Sequence, residues 1–316
     1  MVELRHLRYF VAVAEELNFS RAARRLQMAQ PPLSVAIRQL EQELGAELFQ
    51  RTSREVKLTD VGRALLDGAR RTLVEAEGAM NAARRAAAGE LGTVRLAFSW
   101  SARFETLPAL GRAFLAQRPE VVLLTEEMWN ARMASALRSG SVDVAVALCP
   151  EIVGDLSYQP VRREGVVVLL GTQHALAGER SLPLDALAEE AFVLFPRELA
   201  PRLHDLFMSF FRRAGFEPNV RSESFHAGWD LGVLAELPVV SIVPESVGCD
   251  LPDGVTAVEL TEPADQLETD LVWRTDESSA TVAAFIDVAL GVFDSPDTRS
   301  VSLQTGSIFP SPREDT

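Results

Sequence analysis

The chain has 316 residues, of which 47% are hydrophobic and 24% charged, a length for two or three domains and the composition of a soluble globular protein. Its 31 basic and 45 acidic side chains leave a net charge of −14, and no apolar run approaches the roughly 20 residues of a membrane helix, so a membrane protein is not expected. The opening segment mixes charges with apolar residues and lacks a signal-peptide cleavage site, so the cytoplasm is expected, with Cys149 and Cys249 as reduced thiols.

Charge is shared unevenly. Residues 1 to 90 hold 14 basic and 12 acidic side chains, a balance of +2, whereas the rest hold 17 and 33, a balance of −16. A mildly basic head on an acidic body lets a polyanion approach one end while the body repels it.

Within the head, Leu4, Leu7, Phe10, Val11, Ala14 and Leu17 recur at helical spacing and predict a helix that stops near Asn18. Ser20 reads as the N-cap of a short second helix with Ala22, Ala23 and Leu26 inward and Arg21, Arg24 and Arg25 outward. Pro31 suits the first turn of a third helix, whose buried stripe is Leu33, Ala36, Ile37, Leu40 and Leu44, up to Gly45. Two β-prone runs, Leu48 to Gln50 and Val56 to Leu58, flank a polar turn, Thr52 to Arg54. Three helices and a hairpin over residues 1–58 outline a winged helix-turn-helix.

Thr59 or Asp60 then caps a long helical pattern that reaches about Ala88, giving a linker over residues 59–90. Leu66, Ala69, Leu73, Ala76, Met80, Ala83 and Ala87 step alternately by three and four, an a/d seam that a homodimer buries most simply. Packing of this helix on its own domain is the competing reading. Gly89 to Gly92 reads as a hinge. From residue 91 to 294 strands and helices alternate, predicting an α/β body. Residues 295–316 are polar and rich in Pro and Ser, and disorder is expected there.

Two short helices joined by a tight turn place the second in the major groove while the first braces on the backbone. On that geometry Gln30, Ser34 and Arg38 lie on the exposed face and reach base edges or phosphates, with Pro31 and Val35 also at the DNA, while Ser20, Arg21, Arg24 and Arg25 meet phosphates, and Arg51 and Arg54 do so from the wing. Double-stranded DNA is the expected partner.

At this point the chain resembles the LysR-type transcriptional regulators along nearly its whole length, up to about Asp294. The resemblance rests on "LRHLRYFVAVAEELNFSRAARRL" and "QPPLSVAIRQLEQELGAELFQRTSREVKLTDVGRALL", and less specifically on "LFPRE" and "SIVPES". It implies a winged helix-turn-helix, a linker helix and an effector domain of two Rossmann-like lobes resembling periplasmic binding proteins. Lobe I would span about 91–161 and 267–294, and lobe II about 162–266. It further implies dimers that read an interrupted dyad, a tetramer that bends DNA, contact with RNA polymerase, and control by a small-molecule effector. Where many members carry polar residues after the recognition-helix serine, this chain has Val35 and Ala36, so Val35 is expected to offer a thymine methyl an apolar contact.

For the effector, resemblance and physics agree on the crevice beyond the strands' carboxyl ends. Ser99, Trp100, Ser101 and Arg103, Met128 and Asn130, Phe195 and Arg197, and Phe225 and His226 are the candidates. Guanidinium, hydroxyl and aromatic groups together suit a small aromatic or unsaturated carboxylate, and "LFPR" resembles the branch of the family that controls aromatic catabolism. Interlobe packing is the competing reading for Trp100, Phe195 and Phe225. His6, His174, His204 and His226 lack metal-ligand spacing, and no phosphate-binding, dinucleotide or nucleophile-elbow motif occurs, so neither cofactor, metal nor enzyme is expected. A cysteine-based redox sensor, and an enzyme or solute-binding protein with an accessory head, are the rival readings.

Overall fold

A computed structural model describes residues 2–52, 55–151, 154–223, 231–261 and 266–293. The chain divides into two compact units, Met1–Arg85 and Ala86–Thr316. No helix among the described residues is long and apolar enough to cross a membrane.

The first unit contains α1 (Leu4–Glu16), α2 (Phe19–Arg25), α3 (Gln30–Leu44), the antiparallel pair β1 (Phe49–Arg51) and β2 (Val56–Leu58), and most of α4 (Asp60–Ala87). Phe10, Val13, Leu33, Ile37 and Leu40 fill its core. α1 ends at Glu16, close to the expected stop, because Leu17 takes a left-handed φ of 46°; Leu4, Leu17 and Leu44, expected in buried stripes, are exposed at helix ends. Asn18, not Ser20, caps α2: its side chain accepts the Arg21 N–H at 2.9 Å, and Ser20 lies inside the first turn. A residue earlier in the chain with an equally competent side chain took the cap.

The start of α4 belongs to this unit. Ala69 is 1% exposed in the core and Leu65 and Leu66 pack against it. Only further along does the expected seam emerge, with Leu73 and Ala76 half-buried and Met80, Ala83 and Ala87 exposed.

The second unit has two lobes. In the first, β3 (Gly92–Phe98), α5 (Thr106–Gln117), β4 (Val121–Glu127), α6 (Asn130–Ser139), β5 (Val144–Leu148) and β6 (Leu156–Glu164) come in chain order, and β13 (Leu267–Arg274) and α9 (Ala280–Phe293) return to it. The sheet runs β4-β3-β5-β13-β6, parallel at β4, β3 and β5 and antiparallel at β13 and β6. β6 escapes a reading by propensity because Pro160 interrupts it. Proline is tolerated there because β6 is an edge strand and the register shifts beside it, opposite Thr269 and Asp270. β6 carries the first sheet to Glu164, three residues past the expected lobe boundary.

The second lobe holds β7 (Val166–Gly171), β8 (Ser181–Leu182), β9 (Ala191–Leu194), α7 (Pro201–Arg213), β10 (Asn219–Glu223), α8 (Val233–Glu236), β11 (Ser241–Pro244) and β12 (Val255–Leu260). Its four-stranded sheet is ordered β11-β7-β12-β8, and a parallel bridge from Phe192 to Val240 joins the β9–β10 pair to it. Only Gly165 separates β6 from β7, so one crossing between lobes is short. The segment read as a hinge is anchored. Gly89, at φ +68°, lies so close to the Ala280 carbonyl that a Cβ would sit 2.5 Å from it, and Thr281 Oγ1 donates to the Leu91 carbonyl at 2.9 Å.

Candidate functional site

Two places in the fold gather chemistry. In the first unit, α2 and α3 meet across a tight turn in which Gln27 adopts φ 57°. α3 starts with Gln30, Pro31 and Pro32, whose rings fit a first helical turn. Burial of Leu33, Ala36, Ile37 and Leu40 turns Gln30, Pro31, Val35 and Arg38 to solvent, with Ser34 half-buried among them. Val35 is 51% exposed, a side chain that packing within this domain does not use.

The arginines divide by partner. Arg21 pairs with Glu16 at 3.4 Å, and Arg25 with Glu15 at 2.8 Å. Glu15 also takes Arg70 of α4 at 2.8 Å, and these two guanidinium hydrogen bonds hold its carboxyl below the usual carboxylate range. Arg24 and Arg38 have no ion-pair partner among the described residues. Exposed pairs of this kind contribute about 0–1 kcal/mol, so Arg21 and Arg25 can exchange a carboxylate for a phosphate on docking. Arg51 differs: it points back from the wing to Glu41 of α3 at 2.6 Å, and its guanidinium lies 4.8 Å from the centre of the Phe19 ring. It was expected at phosphate, and the structure places it at the base of the wing. Arg54 lies outside the described residues.

In the second unit a cavity of about 80 Å³ opens between the lobes. β3 and β4 end at Phe98 and Glu127, and the residues that follow them, Ser99 and Met128, converge on it with the start of α6 and the entry to α7. Of the expected residues, Ser99, Trp100, Ser101, Met128, Asn130 and Phe195 line it. Asn130 opens α6 and its amide donates to the Leu148 carbonyl at 2.7 Å. Ser99 Oγ is buried without a hydrogen-bond partner, an unmet donor and acceptor at the cavity wall.

Arg103 and Arg197, expected here as anion holders, do not line the cavity. Arg103 reaches Glu127 at 3.8 Å and lies over Phe104, while Arg197 makes a two-pronged pair with Asp205 at 2.7 Å. Each guanidinium found a carboxylate first. Phe225 and His226 lie outside the described residues. Sequence reasoning missed Trp129, Ala200, Phe207 and the whole of β11, Ser241 to Pro244, all of which line the cavity. Trp129 stacks on Phe195 at 5.3 Å, and Phe207 approaches the same ring at 6.0 Å. The helical spacing of Leu203 and Phe207 marks them as inward, without saying that a cavity lies on that side.

Neither cysteine has the environment of a reactive thiol. Cys149 is buried and Cys249 exposed, and both are free. Burial pushes the Cys149 thiol up, and at Cys249 burial and then the Glu105 carboxylate, 3.6 Å from the sulfur, act in the same direction. No cluster of three metal-ligating side chains occurs among the described residues.

A helix-turn-helix with a wing, followed by a two-lobed α/β body around a cavity, defines a ligand-responsive DNA-binding regulator. Residues 4–63 match the bacterial regulatory helix-turn-helix protein family of lysR type, and residues 87–294 match the LysR substrate binding domain; the chain belongs to the LysR family of transcriptional regulators. It is 35% identical to the HTH-type transcriptional regulator TdfR of Cupriavidus pinatubonensis, over 91% of this chain and 98% of that one. It is 33% identical to the HTH-type transcriptional regulator AlsR of Bacillus subtilis, over 91% and 95%. The crystal structure of CbnR, a LysR family transcriptional regulator, superposes with a TM-score of 0.82 at 27% identity, covering 91% of this chain and all of that one. Full-length CbnR complexed with its target DNA gives a TM-score of 0.80 at 26% identity, covering 92% and 99%. These relatives are transcriptional regulators by name, and the chain is a DNA-binding regulator with an effector domain rather than an enzyme.

Proposed function

We propose that this regulator answers to a small carboxylate, aromatic or unsaturated, bound in the interlobe cavity, and that binding there changes how the heads engage DNA. The observation that carries the reading is the chemistry of the wall. Ser99 Oγ waits there unpartnered, Asn130 opens α6, whose first N–H groups have no acceptor within the helix, and aromatic rings from Trp100, Trp129, Phe195 and Phe207 make up much of the rest. An anion is then held by hydroxyl and N–H groups, with no guanidinium among the wall residues.

Size supplies the coupling. A cavity of about 80 Å³ is smaller than the roughly 150 Å³ that accommodates benzene, so a ring enters only as the lobes part or the wall rearranges. The effector therefore prefers one lobe arrangement, and that difference in affinity is what moves the equilibrium. On DNA, Arg24 and Arg38 with Arg21 and Arg25 supply phosphate contacts, and Gln30, Ser34 and Val35 read bases. The seam from Leu73 to Ala87, exposed from Met80 on, joins two copies, and pairs of dimers bind together, working with RNA polymerase in the cytoplasm.

The test is thermal unfolding of the full chain against benzoate, cis,cis-muconate, acetate and the neutral analogue benzamide. A binding carboxylate at 100 times its Kd stabilises by about 2.7 kcal/mol, and benzamide does not. Equal stabilisation by benzamide, or none by any carboxylate, overturns the reading.

A further inference from the structure

We infer that Glu41 is a positioning residue for DNA reading: a single carboxylate on the recognition helix sets where the wing stands, and so how sharply the protein separates its own site from other DNA. Glu41 lies on α3, seven positions after Ser34, and its side chain leaves the helix toward the hairpin. One oxygen, Oε1, accepts the backbone N–H of Leu48 at 3.0 Å and of Phe49 at 3.3 Å. The other, Oε2, accepts from Arg51 Nη2 at 2.6 Å. Both backbone donors belong to fully buried residues, and the Glu41 side chain is itself only 12% exposed.

The pair reaches three elements. Arg51 sits on β1, its guanidinium covers the Phe19 ring of α2, and Phe19 meets Phe49 of β1 edge-on at 5.9 Å. First helix of the motif, recognition helix and wing are thus tied through two side chains of opposite charge. Neither needs to touch DNA for the tie to act. Because hydrogen bonds to charged groups are stronger than neutral ones and falter with small displacements, loss of the carboxylate frees the wing to tilt.

The inference rests on the reading that the wing meets DNA, and the experiment separates the two. The probes are the duplex that the wild-type full-length chain enriches from a random-sequence library and a shuffled duplex of equal composition. Glu41→Gln keeps a carbonyl for the two backbone donors and loses the ion pair; Arg51→Lys keeps the cation and loses the planar fork and the ring contact. Each is expected to lower the ratio of specific to shuffled affinity about tenfold while leaving the shuffled affinity and its salt dependence unchanged. The double variant is expected to lose no more than either single one, since the pair acts as a unit.

If Glu41 only repels phosphate, Glu41→Gln raises affinity for both duplexes and the ratio holds, which overturns the inference. Should Glu41→Gln fail to fold by circular dichroism, Arg51→Lys carries the same test. Arg54→Ala monitors the wing: a loss there with an unchanged ratio in the Glu41 and Arg51 variants overturns the inference alone. No loss in Arg54→Ala overturns the wing reading and the inference with it.

Discussion

Replacing Asp270 by Asn removes a carboxyl that the fold holds in an unfavourable place. Asp270 is 4% exposed on β13, and its Oδ1 has no hydrogen-bond partner. Burial, then the neighbouring Glu268, push its carboxyl from 3.8 up to about 6, against the pull of Arg202 and Arg163. A rise of about two units at 1.36 kcal/mol each corresponds to roughly 3 kcal/mol. The sign follows from proton binding. Between pH 4 and pH 6 the folded chain holds a proton that the unfolded chain has released, so wild-type stability falls as pH rises through that window and is level above it. Asn titrates in neither state. The stability of Asp270→Asn relative to wild type should therefore climb by about 3 kcal/mol between pH 4 and pH 7, whatever constant offset the amide introduces. For a body of this size that is roughly 6–12 °C in melting temperature. Thermal unfolding of both full-length proteins from pH 3.5 to 7.5 measures it, and parallel profiles would refute the reasoning.

The remaining expectations concern each part of the machine. Ser34→Ala should shift preference among operator variants by about 1–3 kcal/mol, whereas Arg24→Ala should weaken all duplexes alike and lower the salt slope by about one; competition titrations at several salt concentrations separate them. Met80→Glu puts a charge in the exposed part of the seam and should yield folded monomers in sedimentation, while Ala69→Glu, at a buried position, should unfold the head itself. Ser99→Ala removes a hydroxyl that has no partner, so the free protein should change by less than about 0.5 kcal/mol while affinity for a stabilising carboxylate drops about tenfold; calorimetry reads both.

Much of the head was legible because its helices are short, amphipathic and punctuated. Leu33, Ala36, Ile37 and Leu40 at helical spacing, with Pro31 ahead and Gly45 behind, leave little freedom in α3. What periodicity cannot supply is the identity of a partner. It marks Ala69 as inward, but the same mark serves a coiled coil and a domain core, and here the core claims it. Charge behaves similarly. Arg51, Arg103 and Arg197 are visible as cations, yet their uses were fixed by Glu41, Glu127 and Asp205, which only the tertiary fold brings near. β6 was hidden because Pro160 argues against a strand until its place at a sheet edge is known. The cavity was half visible: hydroxyls and aromatic rings after strand ends announce a crevice, whereas Leu203 and Phe207 look like any helix interior until two lobes face each other.

Gly62, near the start of α4, has one further implication. A Cβ there would sit 2.3 Å from the Leu48 carbonyl, so the helix lies flush on the segment that leads into the wing, and Thr59 fastens the same spot by donating from Oγ1 to the Glu47 carbonyl at 2.7 Å. With Ala69 buried two turns later, the DNA reader is not a cassette that ends with its hairpin. A chimera grafting this head onto another sensor needs its splice point beyond Leu73; a joint at Thr59 would transplant a reader stripped of one wall.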